Sequence, residues 1–221
     1  DYGLRLNQAN LGENFTVSMW LKADGTFPEN QVLMFLGYHD PEQWIAVSGG
    51  EPWGGNSSLC KFWAHDSSLY TSHTTLSTMN IGDGSWHQLT LTGSESTVTA
   101  YLDGQAVAYA DGQNGASNHP LAGENQDIYI GVNNWDTEFE GLVDEIEVYD
   151  CTLSAEDIAA AYEAANADPK EGKIAEYTFE ESIADNNGEE ASAIVSGLGA
   201  YGGGGEYEGR FPGGAGWPAE F

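Results

Sequence analysis

Short stretches that alternate apolar and polar residues, separated by turn residues, recur along almost the whole chain. In the stretch ENFTVSMWLKA (13–23), Phe15, Val17, Met19 and Leu21 alternate with Thr, Ser, Trp and Lys. This two-residue period is typical of a β-strand that buries one face. Further segments that we predict to be strands lie at residues 31–38, 43–49, 58–65, 85–110, 126–134, 139–150 and 173–180.

This succession of short strands predicts an all-β fold in which two antiparallel sheets pack as a jelly-roll sandwich. Residues 31–38 are apolar almost throughout, which is typical of a strand covered on both faces. The dipeptide Asp103-Gly104 is a strong signal for a tight β-hairpin. One short peripheral helix is predicted after Ser154, which is placed to cap its N-terminus, with acidic residues in the first turn.

The chain of 221 residues suits one large all-β domain. We expect a single domain over 1–221, with a main body at 1–165, a linker at 166–172 and further strands within 173–221. Because the chain starts at Asp1 without a methionine, we expect it to be part of a larger protein. No run of apolar residues is long enough to predict a membrane-spanning helix.

The chain is strongly acidic, with 6 Lys+Arg against 35 Asp+Glu and a formal net charge of -29. Such a charge repels nucleic acid and anionic membranes, which bind proteins through Lys and Arg, and it also disfavours anionic polysaccharides. Two interpretations of the acidity remain open and do not exclude each other. One is that the surface is adapted to high salt, which screens the repulsion between its own negative charges. The other is that part of the surface gathers divalent cations.

Four segments occur in a fixed order: FTVSMWLKA, GDGSWHQLTLTGSESTVTAYLDGQAVA, IYIGVNNWDTEFEGLVDEIEVYDCTLSAEDIAAAY and AEYTFEESIADNNG. Together they resemble the laminin-G-like, concanavalin A-like jelly-roll domains, which are related to pentraxins. The last segment resembles the strands with which that family begins, although here it stands at the end. The resemblance therefore implies that the chain is circularly permuted relative to the family, or that it was cut from a tandem array and its last strands are exchanged with a neighbouring copy.

The resemblance also implies a structural Ca²⁺ ion. Relatives hold the ion between a turn near their N-terminus and an acid of a late I-D-E-V strand. The matching residues are Asp185 and Asn187 in ADNNG and Asp144 in LVDEI, with Glu180 as a weaker candidate. Carboxylate and amide oxygens suit Ca²⁺. The other interpretation is that the turn residues only form their turn and that Asp144 caps local amides.

Several tryptophans lie among Gly, Pro, Asn and Asp, which predicts loops. Exposed indole rings need a ligand or a packing partner. An indole stacks on the apolar face of a sugar, and neighbouring Asn, Asp and His bind hydroxyl groups; alternatively, these tryptophans pin their own loops to the sandwich. The candidate ligand-binding residues are Trp44, Trp53, Trp135, Asn133, Asn134, Asp136, His39 and Asp40. Trp20 and Trp86 lie in strand motifs of the family and are interpreted as structural.

Catalytic patterns are weak. The run VDEIEVYD places Glu145 and Glu147 two residues apart, and a retaining glycosidase needs two carboxylates close together. However, the order of residues differs from the E-(I/L)-D-x-x-E of laminarinase-type glycosidases. The histidines show no HExxH motif. We therefore predict no catalytic residue.

The sequence predicts a noncatalytic, lectin-like carbohydrate-binding module of a larger secreted or cell-surface protein, stabilised by Ca²⁺ and binding a neutral glycan. Neighbouring domains of that protein are further expected partners, and nucleic acid and membrane insertion are not expected. One alternative is a structural or protein-binding adhesion repeat without a glycan site, and a second is a laminarinase-type glycoside hydrolase. Cys60 and Cys151 either form one bridge or stay thiols.

Overall fold

Fourteen strands and one helix are described by a computed structural model. The elements in chain order are β1 (Tyr2–Leu6), β2 (Phe15–Asp24), β3 (Gln31–Tyr38), β4 (Gln43–Glu51), β5 (Gly55–Asp66), β6 (Thr71–Asn80), β7 (Asp83–Ser94), β8 (Thr97–Leu102), β9 (Gln105–Ala110), β10 (Asp127–Ile130), β11 (Thr137–Glu138), β12 (Leu142–Tyr149), α1 (Ala155–Ala164), β13 (Lys173–Tyr177) and β14 (Ser192–Val195). The structure describes residues 2–6, 11–27, 31–38, 43–51, 55–66, 71–94, 97–110, 127–133, 136–164, 173–177 and 192–195.

The strands form two sheets. The larger sheet has eight strands in the order β14-β1-β10-β3-β4-β5-β6, with β11 paired in parallel to β3. The smaller sheet has six strands in the order β13-β12-β2-β7-β8-β9. Apart from β11, the paired strands are antiparallel. This architecture confirms the predicted two-sheet sandwich with one short helix. No described helix has the length and hydropathy needed to cross a membrane.

The core lies between the inner faces of the two sheets. In β2 the predicted apolar face is confirmed, because Phe15, Val17, Met19 and Leu21 are all fully buried. They pack in one cluster with inner-face residues of the larger sheet, such as Ile45 of β4. The alternation seen in the sequence therefore sets which face of β2 turns inward.

Strand β3 is buried on both faces, as its nearly continuous apolar sequence predicted. Leu33, Met34 and Leu36 belong to the main core, whereas Val32 and Phe35 belong to a second apolar cluster. A register shift between Val32 and Met34 against β4 accounts for this uneven alternation. The larger sheet therefore carries an apolar layer on each of its faces.

The outer face of β2 is also buried at one end, although its residues are polar. Thr16 donates from Oγ1 to the carbonyl of Cys151 at 2.9 Å and accepts the Leu153 N–H at 3.0 Å. Ser18 and Thr90 share a hydrogen bond at 2.8 Å between their hydroxyl oxygens. The two Thr16 contacts fix the segment that leads from β12 into α1, and the Ser18–Thr90 bond joins β2 to β7, so these three buried hydroxyl groups are all paired.

Two predicted turns are confirmed. Asp103 and Gly104 both have positive φ angles, 51° and 75°, between β8 and β9, as a type I′ hairpin turn requires. The N-terminus of α1 is capped by Ser154, whose Oγ accepts the Asp157 N–H at 3.1 Å.

Two strands were missed, one tryptophan was misinterpreted, and the open question of the disulfide bond is answered. Strands β1 and β6 were missed, and β6 (TSHTTLSTMN) lacks the apolar alternation that marked the other strands. The predicted strand at 43–49, which includes Trp44, is confirmed, whereas the separate interpretation of Trp44 as a loop residue is wrong, because it lies in β4 and is 5% exposed. Cys60 and Cys151 are not joined by a disulfide bond.

The cap of α1 gives a first prediction. Replacing Ser154 by Ala leaves the Asp157 N–H without its acceptor, and we expect a loss of about 1 kcal/mol in the free energy of unfolding. Urea denaturation measures this loss. The matched variant Ser154→Asp keeps an acceptor and should retain most of the stability; equal losses in both variants would contradict the role of the cap.

Candidate functional site

An aromatic layer crosses the outer face of the larger sheet. The backbone register places Tyr129, Phe35, Ala46 and Trp63 in one row over β10, β3, β4 and β5. Residues in such a row point to the same side of the sheet. Ala46 leaves a gap between the aromatic rings of Phe35 and Trp63, and Trp44, two residues earlier on the same face of β4, packs against both of them.

The rings form a continuous series. Ring centroids lie 5.9 Å apart for Tyr129 and Phe35, 5.9 Å for Phe35 and Trp44, and 5.2 Å for Trp44 and Trp63, the last pair meeting edge to face. These spacings are typical of stabilising aromatic contacts. Three of the rings are buried, and Trp63 alone among the four is half-buried. The accessible aromatic surface of this layer therefore lies at Trp63.

Lys61 lies two residues before Trp63 and belongs to the same outer face. Its side chain is only 1% exposed, and its Nζ sits 5.4 Å from the centroid of the Trp63 ring. A cation at this distance over an indole ring is stabilising, more so where water is excluded. We infer that Lys61 holds the Trp63 ring in one orientation.

Two of the predicted ligand-binding residues that the structure describes follow β10. Asn133 donates from Nδ2 to Oδ2 of Asp136 at 2.8 Å, and its Oδ1 accepts the Asp136 N–H at 2.8 Å. Because Asn133 is 6% exposed, its amide serves the loop itself. The preceding residue, Val132, packs in the aromatic layer and joins this loop to it.

The remaining predicted ligand-binding residues lie outside the described residues. They are His39, Asp40, Trp53, Asn134 and Trp135. Of the predicted set, the structure therefore describes Trp44, Asn133 and Asp136. It adds Trp63, Phe35 and Tyr129, which the sequence analysis missed. The alternating residues in SLCKFWAH and the apolar run of β3 indicated two of the strands that form this layer. Only the register of the strand pairing shows that their aromatic rings are aligned.

Asp144 is the only predicted calcium ligand among the described residues. It is half-buried in β12, and its Oδ1 accepts the N–H of Glu145 at 2.8 Å. No group of three or more His, Cys, Asp or Glu side chains that could hold a metal occurs within the described residues. Glu180, Asp185 and Asn187 lie outside them.

A bulge in β12 separates the two carboxylates considered for catalysis. The register with β2 shifts between Asp144 and Glu147, and Glu145 has a φ of 46°. Glu145 and Glu147 therefore lack the regular geometry of strand residues two apart. The Glu147 carboxylate also accepts a hydrogen bond from the hydroxyl of the buried Tyr149 at 2.8 Å, which gives this carboxylate a structural role.

His87 of β7 is held between two aspartates. When the imidazole is protonated, Nδ1–H donates to Oδ2 of Asp103 at 2.8 Å and Nε2–H donates to Oδ1 of Asp83 at 3.1 Å. Burial opposes the charged form, but the bonds to Asp103 and Asp83 outweigh it and raise the pKa of His87. Oδ1 of Asp103 also accepts the Gln88 N–H, which ties the hairpin turn to β7.

The two-sheet fold is that of a concanavalin A-like sandwich. A family profile described as the concanavalin A-like lectin/glucanases superfamily, of the laminin G group, matches residues 1–159. The chain belongs to this family, as the sequence resemblance predicted. No curated protein sequence matches the chain.

Solved structures with the same fold include binding modules. Domain 4 of AbnA, a GH43 extracellular arabinanase from Geobacillus stearothermophilus solved with arabinotriose, is 25% identical, with a TM-score of 0.54 over 72% of this chain and 71% of that chain. A heptameric SAP-like pentraxin from Limulus polyphemus is 13% identical, with a TM-score of 0.56 over 89% of this chain and 90% of that chain. The CBM40 of a Ruminococcus gnavus IT-sialidase, bound to sialyllactose, is 13% identical, with a TM-score of 0.51 over 68% of this chain and 83% of that chain.

The environment of His87 gives a second prediction. Since its folded pKa is raised above the ordinary value of 6.5, the stability it contributes is complete below that value and is lost as the pH rises through the folded pKa. NMR titration of the imidazole should show a pKa above 6.5. In Asp103→Asn, which keeps the shape of the side chain but removes its charge, the pKa should fall. A wild-type His87 that titrates at or below 6.5 would contradict this assignment.

Proposed function

We propose that this chain is a noncatalytic carbohydrate-binding module that binds a neutral glycan on the outer face of its larger sheet. The observation that carries the proposal is the aromatic layer that ends at the half-buried Trp63. The apolar face of a sugar ring stacks on an indole, and Trp63 is the ring of this layer that a ligand reaches. Lys61 and Trp44 orient that indole before binding, which reduces the entropy lost when a ligand orders the site.

The likeness to domain 4 of the arabinanase supports the proposal, because that structure was solved with arabinotriose. The acidity of the chain favours a neutral ligand over an acidic one, since a net charge of -29 repels anions. We propose that the loop residues Trp53, Trp135, Asn134, His39 and Asp40 complete the site by stacking and by hydrogen bonds to hydroxyl groups.

A third prediction tests the glycan site. Calorimetric titration with arabinotriose, extended to the neutral oligosaccharides retained on a glycan array, should show binding by the wild-type chain. Trp63→Ala should weaken it by about tenfold or more, because truncating a central aromatic anchor removes most of its contact area. Trp53→Ala and Trp135→Ala test the loop contributions in the same assay.

Two controls keep this experiment interpretable. Trp63→Phe retains an aromatic face and should recover part of the affinity. Trp20→Phe removes an indole from the other sheet, where Trp20 stacks on Tyr162, and should leave the affinity unchanged. No retention of any neutral glycan by the wild-type chain would reject the proposal and favour the alternative of an adhesion repeat.

We also propose that Ca²⁺ stabilises the sandwich, with Asp144, Asp185 and Asn187 as ligands and Glu180 as an additional candidate. Strand β13 ends at Tyr177, which pairs with Ile146, two residues from Asp144. This pairing supports the idea that the segment after β13 supplies the other oxygen ligands. The ion would link that segment to β12 by electrostatic attraction to hard oxygen ligands.

The fourth prediction concerns this ion. A ligand that binds only the folded chain raises the melting temperature by mass action. Adding EDTA should therefore lower the melting temperature, and Asp144→Asn should lower it in calcium while leaving it insensitive to EDTA. The matched variant Asp150→Asn changes the charge equally and should keep the response to EDTA. A wild-type melting curve that EDTA leaves unchanged would reject the calcium site.

We further infer a secreted or cell-surface location for the protein. We also infer that the strands occur in a permuted order relative to the family. The family profile ends at residue 159, yet β13 pairs with β12 and β14 pairs with β1 in this same chain. These pairings support permutation over exchange with a neighbouring copy. Permutation also predicts that Asp1 lies close to Phe221 and that Ala175, Tyr177 and Phe179 face the core. These residues or their side chains lie outside those that the structure describes.

A further inference from the structure

Both nitrogens of the buried His87 ring face a carboxylate oxygen. Nδ1 lies 2.8 Å from Oδ2 of Asp103, and Nε2 lies 3.1 Å from Oδ1 of Asp83. A neutral imidazole carries a hydrogen on only one of its nitrogens, whereas an imidazolium carries one on each. The neutral ring can therefore keep only one of these bonds, and its other nitrogen then meets a carboxylate oxygen as acceptor against acceptor. The observed arrangement requires the protonated ring.

The two carboxylates are held with different firmness. The Asp103 side chain is 13% exposed, its Oδ1 accepts the Gln88 N–H at 2.9 Å, and its own N–H donates to the Gln88 carbonyl at 2.9 Å. The Asp83 side chain is 43% exposed, and its bond to the ring is the longer one. Water can hydrate an exposed carboxylate that loses a donor, whereas a buried one stays unsatisfied. A neutral His87 should therefore keep Nδ1–H on Asp103 and lose its bond to Asp83.

Asp83 begins β7 at the corner where the chain passes from β6 to β7. It pairs with Asp24 at the end of β2, so two carboxylates lie opposite each other on neighbouring strands. Like charges in this position are destabilising. Beside this pair, the N–H of Gly25 donates to the carbonyl of Gly82 at 2.8 Å. A protonated His87 places a positive charge next to Asp83, so the loss of that charge weakens the corner in addition to breaking a hydrogen bond.

We propose that His87 is a pH-sensitive clasp, which closes the corner between β6 and β7 when its ring is protonated and releases Asp83 when its ring is neutral. The segment that opens is 82–85, in which Gly84 has a φ of 79°. The opening stays local because Ile81, directly before it, is fully buried in the core. The turn between β8 and β9 stays closed through Asp103. This inference does not rest on the proposed glycan function.

The ring of His87 meets charged groups from two elements. Asp83 belongs to its own strand, and Asp103 belongs to the turn between β8 and β9. Its partner across β2 is Leu21, which is apolar and fully buried. Helix α1 approaches the turn at the uncharged Tyr162, whose Cβ would lie 3.3 Å from a Cβ added to the glycine after Asp103. The two aspartates are therefore the groups to which the charge of the ring responds.

The direction of the pH response follows from these contacts. Burial opposes the charged ring, but the bonds to Asp103 and Asp83 outweigh it and raise the pKa of His87 above its ordinary value of 6.5. The N–H of Ser85, and secondly His87, lower the pKa of Asp83, so its carboxylate stays ionised over this range. The clasp is therefore closed below pH 6.5 and opens as the pH rises through the folded pKa of His87.

NMR on the full chain tests the clasp. The His87 ring is titrated, and the exchange of the Gly25 and Gln88 N–H groups with water is measured at each pH, corrected for the intrinsic pH dependence of amide exchange. We expect the protection of Gly25, which is bonded to Gly82, to fall by roughly three- to tenfold with the same midpoint as the ring. The protection of Gln88, which is bonded to Asp103, should stay constant.

Two variants separate the clasp from a general effect of charge. A carboxamide has both an acceptor and a donor, so in Asp83→Asn it can accept from the protonated ring and donate to the neutral one. The protection of Gly25 should then be equal on both sides of the His87 titration. Asp150→Asn removes the same charge at an exposed residue after β12 and should keep the fall seen in the wild type.

Three results would overturn the proposal. The first is a Gly25 protection that stays constant while the wild-type ring titrates. The second is a loss of protection at Gln88 in place of Gly25, because the neutral ring would then have released Asp103. The third is an unchanged fall in Asp83→Asn. Thermal melts confirm that each variant is folded, and the wild-type comparison of Gly25 with Gln88 decides the question even if a variant does not fold.

Discussion

The larger sheet depends on burying both faces of β3. This strand pairs with β10, β4 and the short β11, so it joins the halves of the sheet. Its inner residues anchor the core, while Phe35 contacts Tyr129 and Trp44 on the outer face. Burying one such side chain contributes about 1.5–3 kcal/mol, and aromatic contacts add to this. A polar residue in place of Phe35 would therefore disturb the sheet and the candidate glycan face together.

Much of the fold was predictable because its signals are local. The alternation in β2, the Asp103-Gly104 turn and the Ser154 cap each depend on residues that are close in sequence, and each is found as predicted. Strand β6 was missed because it is rich in Thr and Ser, which occur in strands but do not produce the apolar alternation that indicates a buried face. The loop interpretation of Trp44 failed because β4 begins at Gln43 and already contains the tryptophan.

The aromatic layer could not be predicted in the same way. Tyr129, Phe35 and Trp63 are far apart in sequence, and only the register of four strands places them in one row. A shift of one residue in any pairing would turn a ring to the other face. The individual residue types were visible in the sequence, but their joint surface is a property of the pairing.

The bulge in β12 explains why one acidic run supports different interpretations. In an unbroken strand, Asp144 and Glu145 would point to opposite faces, and Glu145 would share a face with Glu147. The positive φ of Glu145 costs a non-glycine residue roughly 1–2 kcal/mol and breaks this relation. It leaves Glu147 bonded to Tyr149 and Asp144 opposite Trp20. The local geometry therefore removes the regular same-face relation between Glu145 and Glu147. It keeps Asp144 near the end of β13, as the proposed calcium site requires.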